Sequence, residues 1–173
     1  MKNRPRQGTG RFDVAYWLMK TEPDVFSIND LKKQGQAHWD GVRNFQARNF
    51  MKSEMKKGDI ILFYHSSAEV IGVAGLARVC REAYPDFTAW DKKSDTYDPR
   101  SSKENPLWVM VDVEFVEKFP HLVTLEEIKS SPQSEGMILI KRGRLSVQPV
   151  EKRHFDWICR IGRSQKGREK KLS

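Results

Sequence analysis

Residues 107–119 read LWVMVDVEFVEKF. Val109, Val111, Val113 and Phe115 recur every second position, with Asp112 and Glu114 between them. A period of two puts alternate side chains on opposite faces of a pleated strand, so this run is a strand with one apolar and one polar face. The same signal returns on both sides of it. VAYWLMK (14–20) is a β-rich run closed by Thr21-Glu22-Pro23, and DIILFYH (59–65) follows Gly58. EVIGVAGLARVC (69–80) is apolar and carries Gly72 and Gly75; MILIK (137–141) and LSVQPV (145–150) complete the set of strands. A glycine inside a strand marks a bulge, a tight bend or the close approach of another backbone.

Helical signals are short. Ser27 caps INDLKKQ (28–34), which Gly35 stops. Thr124 and Glu127 have the spacing of a capping box for LEEIKSS, ahead of Pro132. Pro149 opens a last helix, with His154, Phe155, Ile158 and Cys159 on one face. RNFQARNFMKSEMKK (43–57) reads as a helix ending at Gly58. Long helices alternating with parallel strands are missing. The fold class is therefore mainly β with α: a small curved sheet or barrel with short peripheral helices.

With 173 residues the chain is one ordinary domain, expected over 14–160 between basic tails at 1–13 and 161–173. The net charge of +8 is unevenly spread. Residues 1–11 contribute +4 and residues 160–173 contribute +5, which leaves the body near −1. Basic ends give salt-sensitive, sequence-blind attraction to phosphate, and solvated chain ends have the same composition. The charge therefore does not make this a nucleic-acid protein; the body has to. Cys80 and Cys159 form no paired motif and read as buried free thiols. The four histidines lack metal-ligand spacing, so neither a metal nor a cofactor is expected. No run approaches the roughly 20 apolar residues of a membrane span, and the N-terminal residues lack an apolar core. The expected setting is the cytoplasm, with the nucleus as the counterpart in a eukaryote, and the expected state is a monomer.

Phosphate loops, nucleophile elbows and zinc-hydrolase or deaminase motifs are missing from the sequence. His65 and Ser66 are neighbours on one strand and point to opposite faces, so the imidazole does not activate the hydroxyl. What remains is a group of polar patches at strand ends: KTEP (20–23), HWDGVRN (38–44), YHSS (64–67) and the proline-marked AYPDFTAWDKKSDTYDP (83–99). Loops on a rigid scaffold are where binding groups are presented. In WDGVRNFQARNF (39–50), planar hydrogen-bonding side chains alternate with apolar ones, and Asp40 is the only acid. Aromatic faces stack on a planar ligand, each base gaining ~1–3 kcal/mol. Lys20, Thr21, Asp40, Asn44 and Ser66 would read its polar edge. Each residue also has a plainer reading. Trp17, Trp108 and Trp157 belong to the core, Trp39 and Trp90 can anchor loops, Arg43 and Arg48 can pair with Glu22 or Asp40, and Asn44 can bond to backbone.

Taken in order, YWLMKTEP, WDGVRNFQARN, KGDIILFYHS, AYPD, YDP, WVMVDVEFVEKF and RLSVQPV resemble the EVE domain of the PUA-like superfamily, from about Tyr16 to Ile158. The resemblance implies a PUA-like curved β-barrel of five to six strands. It also implies a non-catalytic reader that flips a modified base, 5-substituted cytosine in DNA first, into an aromatic pocket. Carried onto this sequence, Trp39 would be the stacking wall, with Tyr64 or Tyr97 opposite or at the rim. Lys20, Thr21 and Glu22 would border the floor, and Asp40, Asn44, His65 and Ser66 would give edge contacts. Arg43, Arg48 and Arg144 would brace loops or meet phosphates. Two alternatives stay open. One is a PUA-type module for structured or modified RNA. The other is a small nucleotide-acting enzyme, for which Glu22, Asp40 and His65 are the available acid–base groups.

Overall fold

The alternating run lies, from Val109 on, in the longest strand of a six-stranded mixed sheet. The computed structural model describes residues 13–164. In chain order the strands are β1 (Tyr16–Thr21), β2 (Gln36–Trp39), β3 (Ile60–His65), β4 (Gly72–Pro85), β5 (Val109–Thr124) and β6 (Val147–Val150). The helices are α1 (Ile28–Gln34), α2 (Phe45–Asn49), α3 (Leu125–Ser130), α4 (Ile138–Lys141) and α5 (Lys152–Arg163). A π-helical turn, Phe50–Glu54, continues α2. The sheet order is β2-β5-β4-β3-β1-β6, with β1 and β3 parallel and the other neighbours antiparallel. β2 and β6 are its edges, so the sheet is not closed and "barrel" describes it only loosely.

Side-chain alternation makes two cores, one on each face of this sheet. Trp17 and Met19 of β1, Ile61 and Phe63 of β3, and Val111 and Val113 of β5 join Ile28, Leu31, Trp39, Ala47 and Met51 in the first. Leu18, Leu62, Tyr64, Val73 and Leu76 face the other way and meet Ile128, Phe155, Trp157 and Ile158. Val109 and Phe115 pack on the first cluster, as the spacing in 107–119 requires. The strand glycines mark close approach. A Cβ on Gly72 would lie 2.2 Å from the Val123 carbonyl oxygen, and one on Gly75 would lie 2.2 Å from that of Glu117. The β4–β5 register shifts between Val73 and Gly75, which bends the pair.

Both sequence-read caps form. Ser27 accepts the Asp30 N–H while Asp30 reaches back to the Ser27 N–H, and Thr124 and Glu127 do the same for α3. His154, Phe155, Ile158 and Cys159 are all buried, whereas Cys80 is only half-buried.

Five readings need correction. MILIK forms α4 after Met137, not a strand; a five-residue apolar run has no period long enough to separate the two. The edge strand β2 was hidden by the polar Gln36 and His38; only Ala37 and Trp39 turn inward. β4 extends through Pro85, so the expected loop at 83–99 loses its first three residues. Pro149 sits in β6, where an edge strand tolerates the missing N–H, and α5 begins at Lys152. α5 also runs to Arg163, with Gly162 buried against Phe119, three residues past the point where a tail was expected to begin. Residues 1–12 and 165–173 of the expected tails lie outside the described residues.

Candidate functional site

Three aspartates tie the sequence patches together. Asp59 accepts the Trp17 indole N–H at 2.8 Å, and Asp98 accepts that of Trp108 at 2.8 Å. Buried indoles need such acceptors, so both tryptophans are core residues. The third, Asp86, is fully buried and accepts from Arg43 Nη1 at 2.8 Å and from the Gly41 N–H at 2.9 Å. It also accepts from the N–H and hydroxyl of Thr88. Burial pushes this carboxyl up, but the bonds from Thr88, Arg43 and Gly41 outweigh it and hold the group below the ordinary carboxylate range. Gly41 has φ 79°, a conformation that suits glycine, and this lets its N–H turn toward Asp86. Asp86 thus fixes the 39–44 segment against the loop that follows β4.

That loop and segment enclose a hollow of about 1050 Å³ at the ends of β1 and β2. Its wall includes Lys20, Thr21, Glu22, Val25, Phe26, His38, Trp39, Asp40, Val42, Arg43, Asn44, Ser94, Asp95, Thr96, Asp112 and Ser146. A second hollow of about 520 Å³ adjoins it along Lys20, Thr21, Glu22 and Ser146. Tyr64, Ser66, Ile71, Leu125, Lys129, Leu139, Ile140, Gly143 and Arg144 complete the smaller one.

The sequence-read residues therefore divide. Lys20, Thr21 and Glu22 form a shared ridge. Trp39, Asp40, Arg43 and Asn44 belong to the larger hollow; Tyr64, Ser66 and Arg144 belong to the smaller. Trp39 and Tyr64 sit in opposite cores, so they do not face each other across one ligand. Trp39 is 6% exposed and packs edge-on against Phe63, so it offers the larger hollow a narrow strip of wall rather than an open face. Tyr97, 37% exposed, lines neither hollow.

Several groups are engaged by the scaffold. The Asn44 side-chain oxygen accepts the Ala47 N–H and caps α2. Arg43 donates to the Thr96 and Val42 carbonyls as well as to Asp86 and Thr88. Arg48 donates to the Leu107 carbonyl and to Asn49 and lies over the Phe45 ring. His65 lines neither hollow. Its Nε2 accepts the Ile28 N–H at 3.1 Å, so the imidazole braces the start of α1. Burial, then the nearby Lys118 charge, lowers its pKa against an opposing pull from Asp30, which suits a neutral acceptor. The Lys20 ammonium donates to the Gly143 carbonyl and lies 5.3 Å from the Tyr64 ring centre; burial lowers its pKa.

Sequence reasoning missed Phe26, His38, Ser94, Asp95, Thr96 and Ser146 as wall residues. Phe26 had a signal, since it precedes a helix cap at the position of a hydrophobic staple. His38 shares Asp112 with Tyr84: His38 Nδ1 lies 3.0 Å from Asp112 Oδ1 and 2.9 Å from the Tyr84 hydroxyl, which donates to the same carboxylate. The rim of the larger hollow is acidic. Glu22, Asp40 and Asp95 make no side-chain hydrogen bond or ion pair among the described residues. Among the described residues no group of three or more His, Cys, Asp or Glu is placed to hold a metal, and no helix is long and apolar enough to cross a membrane.

Comparison with known proteins agrees with this architecture. Human thymocyte nuclear protein 1 is 43% identical, with 85% of this chain and 73% of the human protein covered. A hypothetical protein from Leishmania major has a structure matching at TM-score 0.86 and 50% identity, covering 89% of this chain and 98% of that one. The structure of human THYN1 in complex with DNA containing 5-methylcytosine matches at TM-score 0.82 and 42% identity, covering 87% and 99%. The model of the EVE domain matches residues 15–161, and the chain belongs to the EVE domain family.

Proposed function

We propose that this chain is a non-catalytic reader of a modified nucleobase, a 5-substituted cytosine in DNA, which enters the larger hollow after flipping out of the duplex. The observation that carries this reading is the relative of the same fold in complex with 5-methylcytosine DNA. The chemistry of the hollow supports it. Cytosine presents an N4 amino donor, and carboxylates are its natural acceptors. Glu22, Asp40 and Asp95 stand at the rim with that capacity unused. Val25, Phe26 and Val42 supply apolar surface for a substituent at C5. Three carboxylates repel phosphate, so the hollow suits a base edge better than a backbone. Phe26 and the strip of Trp39 are its aromatic contribution.

Flipping costs a few kcal/mol. Hydrogen bonds that discriminate a base are worth about 1–3 kcal/mol per good pair, so edge contacts offset the cost and leave modest affinity. The engagement of His65 by α1 supports binding without turnover, since its ring nitrogen is occupied away from both hollows.

The test is a panel of oligonucleotides that differ only in the C5 substituent of one cytosine, in matched DNA and RNA, against wild type and the Asp40→Ala and Glu22→Ala variants. These exposed positions are better probes than Trp39→Ala, which would open a core cavity. Wild type should prefer the modified DNA, and each variant should reduce the preference while melting unchanged. Equal binding across the panel would overturn the reading. Preference in RNA alone would make the chain an RNA module instead.

A further inference from the structure

The cations of this domain differ in what holds them. Arg43 and Arg48 have their guanidinium donors on protein acceptors. Arg144 and Lys129 are exposed, and their side chains make no hydrogen bond or ion pair among the described residues. Both line the smaller hollow, where Lys20 adds a third positive charge and Glu22 is the only carboxylate among the described residues. Thr21, Ser66 and Ser146 place three residues with hydroxyls in the same wall. Lys20 is the fixed member: its ammonium is held on the Gly143 carbonyl, which also tethers the backbone beside Arg144. A planar guanidinium, ammonium groups and hydroxyls together match the oxygens of a phosphate.

We infer that the smaller hollow is a phosphate site that takes a phosphodiester of the strand whose base occupies the larger hollow, with Arg144 and Lys129 as the free cations. The placement rests on the proposed function, because the two hollows adjoin along Lys20, Thr21, Glu22 and Ser146. It divides recognition between an acid-rimmed hollow that meets a base edge and a basic one that meets the backbone. Phosphate contacts position a nucleic acid, and base contacts specify it.

The experiment measures duplex binding by the full chain across a salt series, using DNA with one 5-methylcytosine. Arg144→Gln and Lys129→Gln should each reduce the log–log salt slope by about 1 while the preference for the modified base stays. Lys103→Gln, in the loop before β5 and outside both hollows, serves as the control and should change the slope less. A scan of single methylphosphonates, each removing one backbone charge, should then find a position within a few nucleotides of the modified base where wild type loses affinity and Arg144→Gln loses no more.

An equal slope change in the Lys103→Gln control, or no coupled position in the scan, would overturn the proposal. Inorganic phosphate shifting the signals of these residues without any coupled backbone position would place a free anion there and overturn it too. A wild type indifferent to the modification would sink the base-reading function instead, leaving the slope and the scan to judge the phosphate site on unmodified DNA.

Discussion

The two hollows share a wall and differ in nearly everything else. Lys20 and Glu22 belong to both; the larger adds Asp40 and Asp95 at its rim, and its arginine is neutralised by a buried aspartate. The smaller adds Lys129 and Arg144, whose side chains are unpaired among the described residues. The difference comes from which cations the scaffold needs. Arg43 holds a loop in place and offers a ligand little, while Arg144 holds nothing. A basic residue in a polar sequence patch is thus not by itself a phosphate contact; its protein partners decide.

The strongest way to break this contrast is to remove Asp86. Losing one member of a buried ion pair costs about 3–5 kcal/mol, a large part of the usual 5–15 kcal/mol of a domain. Asp86→Ala should therefore lower the urea midpoint sharply and release the 39–44 wall with the base preference. A midpoint within error of wild type would show that this network does not hold the larger hollow. The charge adds a pH signature. The folded pKa of Asp86 is lowered, so its stabilisation is present above the unfolded value of ~3.9 and fades as pH falls toward the folded value. The gap between wild type and Asp86→Asn should narrow on acidification below about pH 4.

A smaller effect is expected where the strands touch. Gly75→Ala drives a methyl into the Glu117 carbonyl and should cost about 1–3 kcal/mol by overpacking. Thermal melting measures this; an unchanged Tm would mean that β4 and β5 separate more easily than their contact suggests.

His65 lies beside the shared ridge, paired in register with Thr21, and its ring braces the start of α1. Its folded pKa is lowered, so the stability it gives is complete above the unfolded value of ~6.5 and declines as pH falls toward the folded value. Unfolding at pH 7.5 and 5.5 should show a loss that His65→Gln lacks. Equal losses in both proteins would remove His65 as the source.

Much of the fold was legible because strands announce themselves locally. The period in 107–119 assigned Val109, Val111, Val113 and Phe115 to one core, and the caps at Ser27 and Thr124 fixed two helix starts. Gly72 and Gly75 signalled close backbone approach, and it is there. Failures came where local signal is weak or overridden. MILIK is too short to show a period, and β2 pairs through backbone that its polar side chains conceal. For the candidate site, the sequence indicated which segments gather better than what each side chain touches. Strand-end patches did converge on hollows, but the pairing of Trp39 with Tyr64 depended on which face of the sheet each occupies. The partners of Arg43, Asn44 and His65 depended on contacts between segments tens of residues apart or on a cap geometry. The aspartates of KGDI, AYPD and YDP turned out to be acceptors for other motifs, a role invisible until the chain is folded.

The smallest expected effect, and the cleanest, concerns specificity alone. Two duplexes differing only in the C5 substituent of a single cytosine are compared in roughly 0.5 M salt, where screening within a few Å suppresses backbone attraction. Absolute affinity should fall steeply from its low-salt value while the ratio between the duplexes holds, and Asp40→Ala should bring that ratio toward one. A ratio that vanishes with the electrostatic attraction, or that Asp40→Ala and Glu22→Ala both leave untouched, would contradict base reading in the larger hollow.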